Sequence, residues 1–193
     1  MRTSIFILLI WTFFSCSRTA DNTNSASTTS VTSEAESSPE TTILNFLKWY
    51  KDNGTNLASD LVSGNSGAEW DSTKFYAINF PATEKYLKTL TETGMLSNKY
   101  SDKWRDYFKK CDKQFKDHPA NDGPPEGFEY DFILFSQEDP GLSELDKINF
   151  DVLKKDANSA EILVNFPSDY HYKYQLSKFG QHWTIDDIEP VFK

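Results

Sequence analysis

Apolar residues recur along this chain in two rhythms, and the change of rhythm divides it. Ile43, Phe46, Leu47 and Tyr50 follow the spacing of one helix face. Ser38 is a capping residue, Pro39 suits the first helical position and Glu40 adds an acid to the first turn, so this helix should begin at Pro39. Gly54 supplies a stop, and residues 54–72, rich in Gly, Ser, Asn and Asp, read as loop with a short turn around Leu61. Tyr86, Leu87 and Leu90 predict a second helix from Thr83 or Glu84 to Thr93, ended by Gly94. Trp104, Tyr107, Phe108, Cys111 and Phe115 predict a third from near Ser101, with Pro119 just beyond it. After the loop 121–127 the rhythm turns to two. Strands are expected over Phe128–Ser136, Ile148–Lys154, Ala160–Phe166, Tyr170–Lys178 and His182–Ile188. The last three are joined by short turns and suggest an antiparallel meander. Treating Phe179-Gly180 as a two-residue turn pairs Leu176 with Trp183, Tyr174 with Ile185, Lys173 with Asp186 and Ser177 with His182. Helices followed by strands predict an α+β domain over residues 39–193, with N-terminal helices packed on a curved antiparallel sheet.

The N-terminus has a third pattern. Arg2 precedes a nearly unbroken apolar run, Ile5 to Trp11, closed by Phe13-Phe14-Ser15-Cys16. A positive flank, a short apolar core and a small residue before a cut read as a secretory signal over residues 1–15. The run is about half the roughly 20 residues a membrane-spanning helix needs. The Ser15-Cys16 pair resembles the lipobox of bacterial lipoproteins, in which the cysteine becomes the acylated first residue. Phe13 and Phe14 stand where such boxes usually carry Leu and a small or β-branched residue. The plainer alternative is an ordinary cleaved signal, with Cys16 incidental. Residues 16–38 then form an acylated cysteine and a tether. Val31 is the only aliphatic side chain larger than Ala between 17 and 40, so the segment cannot bury enough surface to order itself. About 22 such residues have a typical end-to-end distance near 25 Å. Ser17 is not the Asp that often retains lipoproteins at the inner membrane, which favours the outer membrane.

Composition sharpens this picture in three ways. The 15 Phe, 9 Tyr and 5 Trp predict an aromatic core. Of the two cysteines, Cys16 is committed if acylated, which leaves Cys111 without a disulfide partner and reads as a buried structural thiol. Charge is uneven: residues 1–120 hold 14 basic and 14 acidic groups, residues 121–193 hold 6 and 15, so the net −9 sits in the C-terminal part. That acidity argues against nucleic acid as a partner, because such binding draws on Lys and Arg. It suits a basic protein partner, cations or simple solubility.

Candidate chemistry is sparse. Tyr130, Asp131 and Gln137 lie on or beside one predicted strand, and a Tyr or Asp in a pocket can move protons. A regular strand would point Tyr130 and Asp131 to opposite faces. Their plainer readings are packing for Tyr130 and a locally hydrogen-bonded acid for Asp131. The histidines His118, His171 and His182 form no converging set, so no metal site is expected. Asp117, Asn121 and Asp122 resemble a calcium loop only faintly, lacking its alternation and terminal Glu. No cofactor motif, Gly-rich phosphate loop or Gly-x-Ser-x-Gly elbow appears, and Ser101 and Ser136 have no evident base.

The segments Ile43–Asn53, Gly127–Gln137 and Gly180–Ile188 together resemble a domain of envelope lipoproteins of Gram-negative bacteria. The resemblance covers nearly all of residues 39–193. It implies a cystatin-like fold, akin to the nuclear-transport-factor-2-like superfamily, and no established activity. Three functions are compatible with these readings. One is a membrane-tethered, non-catalytic protein-binding or inhibitor module that contacts another envelope protein. Another is a small-molecule-binding or enzymatic domain with a pocket between helices and sheet. The third is a purely structural envelope component.

Overall fold

The computed structural model describes residues 37–64 and 71–192. The expected signal segment, Cys16 and the tether up to residue 36 lie outside the described residues. The first helix, α1, spans Pro39–Asn53. The Ser38 side chain caps it by accepting from the Thr41 N–H at 3.1 Å. Val62–Ser63 (β1) then pairs antiparallel with Ala77–Ile78 (β2), a ribbon within and beyond the stretch read as loop. Helix α2 covers Phe80–Thr91 and α3 covers Asn98–Asp117. Both begin about three residues before the sequence suggested. Asn79 and Ser97 cap them, and Pro81 sits in the first turn of α2. These caps precede the apolar stripe, so the stripe alone places the start too late.

Four strands complete the fold: β3 Asn149–Lys155, β4 Ser159–Asn165, β5 His171–Phe179 and β6 His182–Pro190. They form one antiparallel meander in the order β3-β4-β5-β6. Helices and antiparallel sheet make the protein α+β, as the two rhythms predicted. The inward face of the sheet alternates regularly. Ala160, Ile162 and Val164 on β4, and Tyr172, Tyr174 and Leu176 on β5, are buried. Ile43, Phe46 and Leu47 of α1 are also fully buried, and α1 and α3 both lie against β6.

Two expectations fail. The segment Phe128–Ser136 is not a strand but an irregular loop. Phe132, Ile133 and Leu134 are buried consecutively, which no pleated strand achieves with one face inward. The cause is Asp131, whose Oδ1 accepts the backbone N–H of Ile133 and of Leu134, both at 2.8 Å. A short acidic side chain thus takes donors that a ladder would need. The register of the last hairpin also differs. Its turn is Gly180-Gln181, with Gly180 at φ 63 in the first turn position, where a positive φ is needed. Phe179 pairs with His182, Ser177 with Thr184 and Leu176 with Ile185. A bulge between Gln175 and Leu176 in the pairing then shifts the ladder, so that Tyr174 meets Ile188 and Lys173 meets Glu189. Ile185 and Ile188 lie three residues apart and both face the core. A strict period of two cannot bury both, and the extra residue of a bulge can.

Candidate functional site

The loop 128–137 is wound around Asp131. Its backbone closes on itself, with Phe135 N–H donating to the Asp131 carbonyl at 2.7 Å and Asp131 N–H to Ser136 at 3.1 Å. The Asp131 carboxylate also accepts the Tyr50 hydroxyl of α1 at 2.5 Å. Burial, and then the Asp131 charge, push the Tyr50 phenol far above its ordinary range. The same two causes raise Tyr86, whose buried hydroxyl finds no hydrogen-bond partner. The Tyr100 hydroxyl is likewise buried without one; the Trp104 indole beside it falls short of bonding geometry. Asp131 therefore locks a loop to a helix, and its acceptor capacity is spent inside the fold.

The other expected site residues lie apart from that carboxylate. Tyr130 packs its ring against Phe132 and Phe135, at centroid distances of 6.0 and 6.2 Å. Gln137 is exposed and donates to the Glu129 carbonyl at 2.7 Å, closing the loop from outside. Cys111 is buried in the same aromatic neighbourhood, and burial raises its thiol pKa. Next to it the Tyr107 hydroxyl donates to the Gly127 carbonyl at 2.7 Å. Gly127 sits at φ 85, and a Cβ there would lie 2.5 Å from that hydroxyl, so only glycine fits. His118 ends α3, and His182 is exposed beside the last turn. Asp117 is ion-paired with Lys113, Asn121 donates to the Ser72 carbonyl, and Asp122 accepts from Gly123. Among the described residues no three His, Cys, Asp or Glu side chains converge on a point. Ser101 donates to the Asn98 carbonyl, and Ser136 donates to the Tyr170 hydroxyl.

Between helices and sheet, large side chains fill the space: Phe46, Tyr86, Tyr100, Phe108, Tyr172 and Tyr174 are all fully or almost fully buried. A concave site lies elsewhere, at the end of the sheet where β5 begins and β6 finishes. It is a cleft of about 250 Å³ lined by Phe135, Asp169, Tyr170, His171, Tyr172 and the segment 190–192. Ligand pockets commonly start near 300 Å³, so this one suits a side chain or a small group better than a large cofactor. Tyr170, just before β5, and Tyr172 on it lie two residues apart, and their rings are 9° from parallel with centroids 6.4 Å apart. The Tyr172 hydroxyl donates to the Leu134 carbonyl, tying this floor to the Asp131 loop. His171 is buried, with Nδ1 2.7 Å from Asn165 Oδ1 and Nε2 3.1 Å from Asp169 Oδ1. The Asp169 side chain itself is 95 % exposed at the mouth. Phe135 holds φ at 49, a conformation a bulky residue adopts at a cost of about 1–3 kcal/mol.

Of the cleft residues the sequence marks only His171, as a histidine without converging partners. The one further legible sign is Asp169-Tyr-His-Tyr172, two aromatics at the spacing of one strand face directly after a turn. Phe135 is invisible in that way, because its loop reads as strand. Tyr130 touches the cleft only through its stack on Phe135. No family model, no curated protein and no solved structure matches the chain.

Proposed function

We propose that this chain is a lipid-tethered protein of the bacterial envelope, anchored through Cys16 at the outer membrane, and that its folded part is a non-catalytic binding or inhibitor module with a cystatin-like arrangement. The cleft at the end of the sheet carries this reading. It is aromatic, open and of side-chain size, while the acid and phenols nearest each other, Asp131 and Tyr50, are consumed by internal bonds. A proton-moving site needs a group free to exchange, and Asp131 is occupied on both oxygens.

The position of the cleft supports the same reading. Ser37 Oγ lies 3.5 Å from the Gln181 carbonyl, so the described chain begins beside the β5–β6 turn. The cleft is at the other end of β5. Nine extended residues separate the two by about 26 Å, which leaves the cleft clear of Ser37. Among the described residues, no helix is long and apolar enough to cross a membrane.

Fractionation of cells expressing the full chain tests the anchor. Wild type should sediment with membranes, and Cys16→Ala should appear in the soluble fraction; retention of Cys16→Ala on membranes overturns it. Cross-linking in the envelope tests the module. A defined adduct should form with wild type and disappear with Tyr170→Ala. An adduct indifferent to Tyr170 would sink the cleft as the binding surface.

A further inference from the structure

We infer that the cleft receives a cationic group, a guanidinium or ammonium, held over the Tyr170 ring, which Tyr172 backs, and against the Asp169 carboxylate. This rests on the reading of the cleft as a binding site and names the chemistry it takes. Aromatic faces carry the negative part of the ring quadrupole and attract cations placed within about 6 Å of the centroid. Here Tyr170 presents a ring backed by the near-parallel, buried Tyr172, with Phe135 as a further aromatic side chain and Phe192, 88 % exposed, as another. Asp169 supplies a full negative charge at the mouth, engaged on one oxygen by His171 and otherwise open to solvent. Among the described residues that line the cleft, His171 alone has a side-chain nitrogen near that carboxylate. The C-terminal part of the chain in which the cleft lies, residues 121–193, carries the whole net −9, which draws cations towards it.

Backbone conformation points to the same place. Three non-glycine residues among those described have a positive φ: Asn56, Phe135 and Asp169. Two of the three line this cleft. An Asp adopts that conformation in turns at little cost, but Phe135 does not. The fold thus holds an aromatic ring at the cleft, packed against Trp104 and Tyr130. A neutral apolar ligand would not need the exposed carboxylate.

Titration of the full chain, followed by tyrosine fluorescence and by NMR of the His171 ring, tests this. The probes are N-acetyl-arginine amide, tetramethylammonium, a short arginine-containing peptide and, as the neutral control, N-acetyl-glutamine amide. Saturable binding of the cationic probes, with the neutral amide at least about tenfold weaker, is expected. Asp169→Asn should weaken the cations about fivefold or more while leaving the fold intact, because Asn tolerates the same positive φ and keeps an oxygen for His171. Tyr170→Leu, checked by circular dichroism, should weaken them similarly through a different atom set. Tighter binding of the peptide than of the amide would assign the cation to a protein side chain; equal or tighter binding of tetramethylammonium would assign it to a small organic cation. Equal binding of the neutral amide, or cation binding unchanged in Asp169→Asn and Tyr170→Leu, overturns the inference. So does failure of every cationic probe, even if the envelope adduct still depends on Tyr170, in which case the cleft binds something other than a cation.

Discussion

Asp131 shows how one side chain can decide the conformation of ten residues. It accepts two backbone N–H groups and one phenol, all from groups that are buried or nearly so. Asp131→Ala should cost about 3 kcal/mol, since charged acceptors are worth more than neutral ones and their donors are left unpaired. Asp131→Asn keeps one oxygen for the backbone donors and should cost about half as much. The midpoint of urea unfolding measures both, and equal effects would show that packing, not the carboxylate, holds the loop. The buried phenols make a second prediction. Burial raises Tyr50, Tyr86, Tyr100 and Tyr174 well above 10.0, so the folded chain keeps these protons when the unfolded chain has lost them. The stabilisation is complete below the unfolded value and declines as pH rises through about 10. Each such phenol steepens the fall by about 1.4 kcal/mol per pH unit. Phenolate absorbance for this group should therefore appear together with the loss of circular dichroism. Phenolates forming while the fold is intact would refute it.

Elements depend on more than the periodicity that announces them. Helix α1 was legible from end to end because its cap, its Pro and its apolar stripe all agree. For α2 and α3 the stripe is legible and the caps Asn79 and Ser97 are not, since a single capping residue carries little weight before its helix is known. Strand β6 was legible as a strand but not in register. The spacing Trp183, Ile185, Ile188 already departs from two, and only the partner strand shows that a bulge absorbs the difference. The bulge also directs charge. Asp186 and Asp187 sit where it occurs, and they pair with Lys99, at 2.8 Å, and with Lys103 on α3. Such partly exposed pairs are worth up to about 1 kcal/mol each, whereas truncating the buried Ile188 costs about 3 kcal/mol. Ile188→Ala should thus lower the unfolding midpoint more than Lys99→Met and Lys103→Met combined. Comparable losses would mean that the ion pairs hold this end of β6 as firmly as the buried side chain. Ser38→Ala should cost about 1 kcal/mol, a check on the cap of α1 by the same measurement.

For the molecule as a whole, the division into helices and then strands was readable because helical and extended backbones impose different periods on the side chains they bury. Aromatic richness foretold the kind of core, and Cys111 is buried as its place on the apolar stripe of α3 implied. Charge was readable too, since it needs only counting. The loop at 128–137 was not, because its fate rests on whether Asp131 meets Tyr50, a residue 81 positions away on another element. The cleft was not readable for the same reason. Phe135 comes from that loop, Asp169 to Tyr172 from the turn into β5, and residues 190–192 from the end of β6. Local pattern determines which surfaces each element must bury, because periodicity and burial are properties of neighbours along the chain. Concavity, the pairing of acid with phenol and the convergence of rings around a carboxylate belong to residues far apart in sequence, and they exist only once the sheet, its bulge and the loop have been brought together.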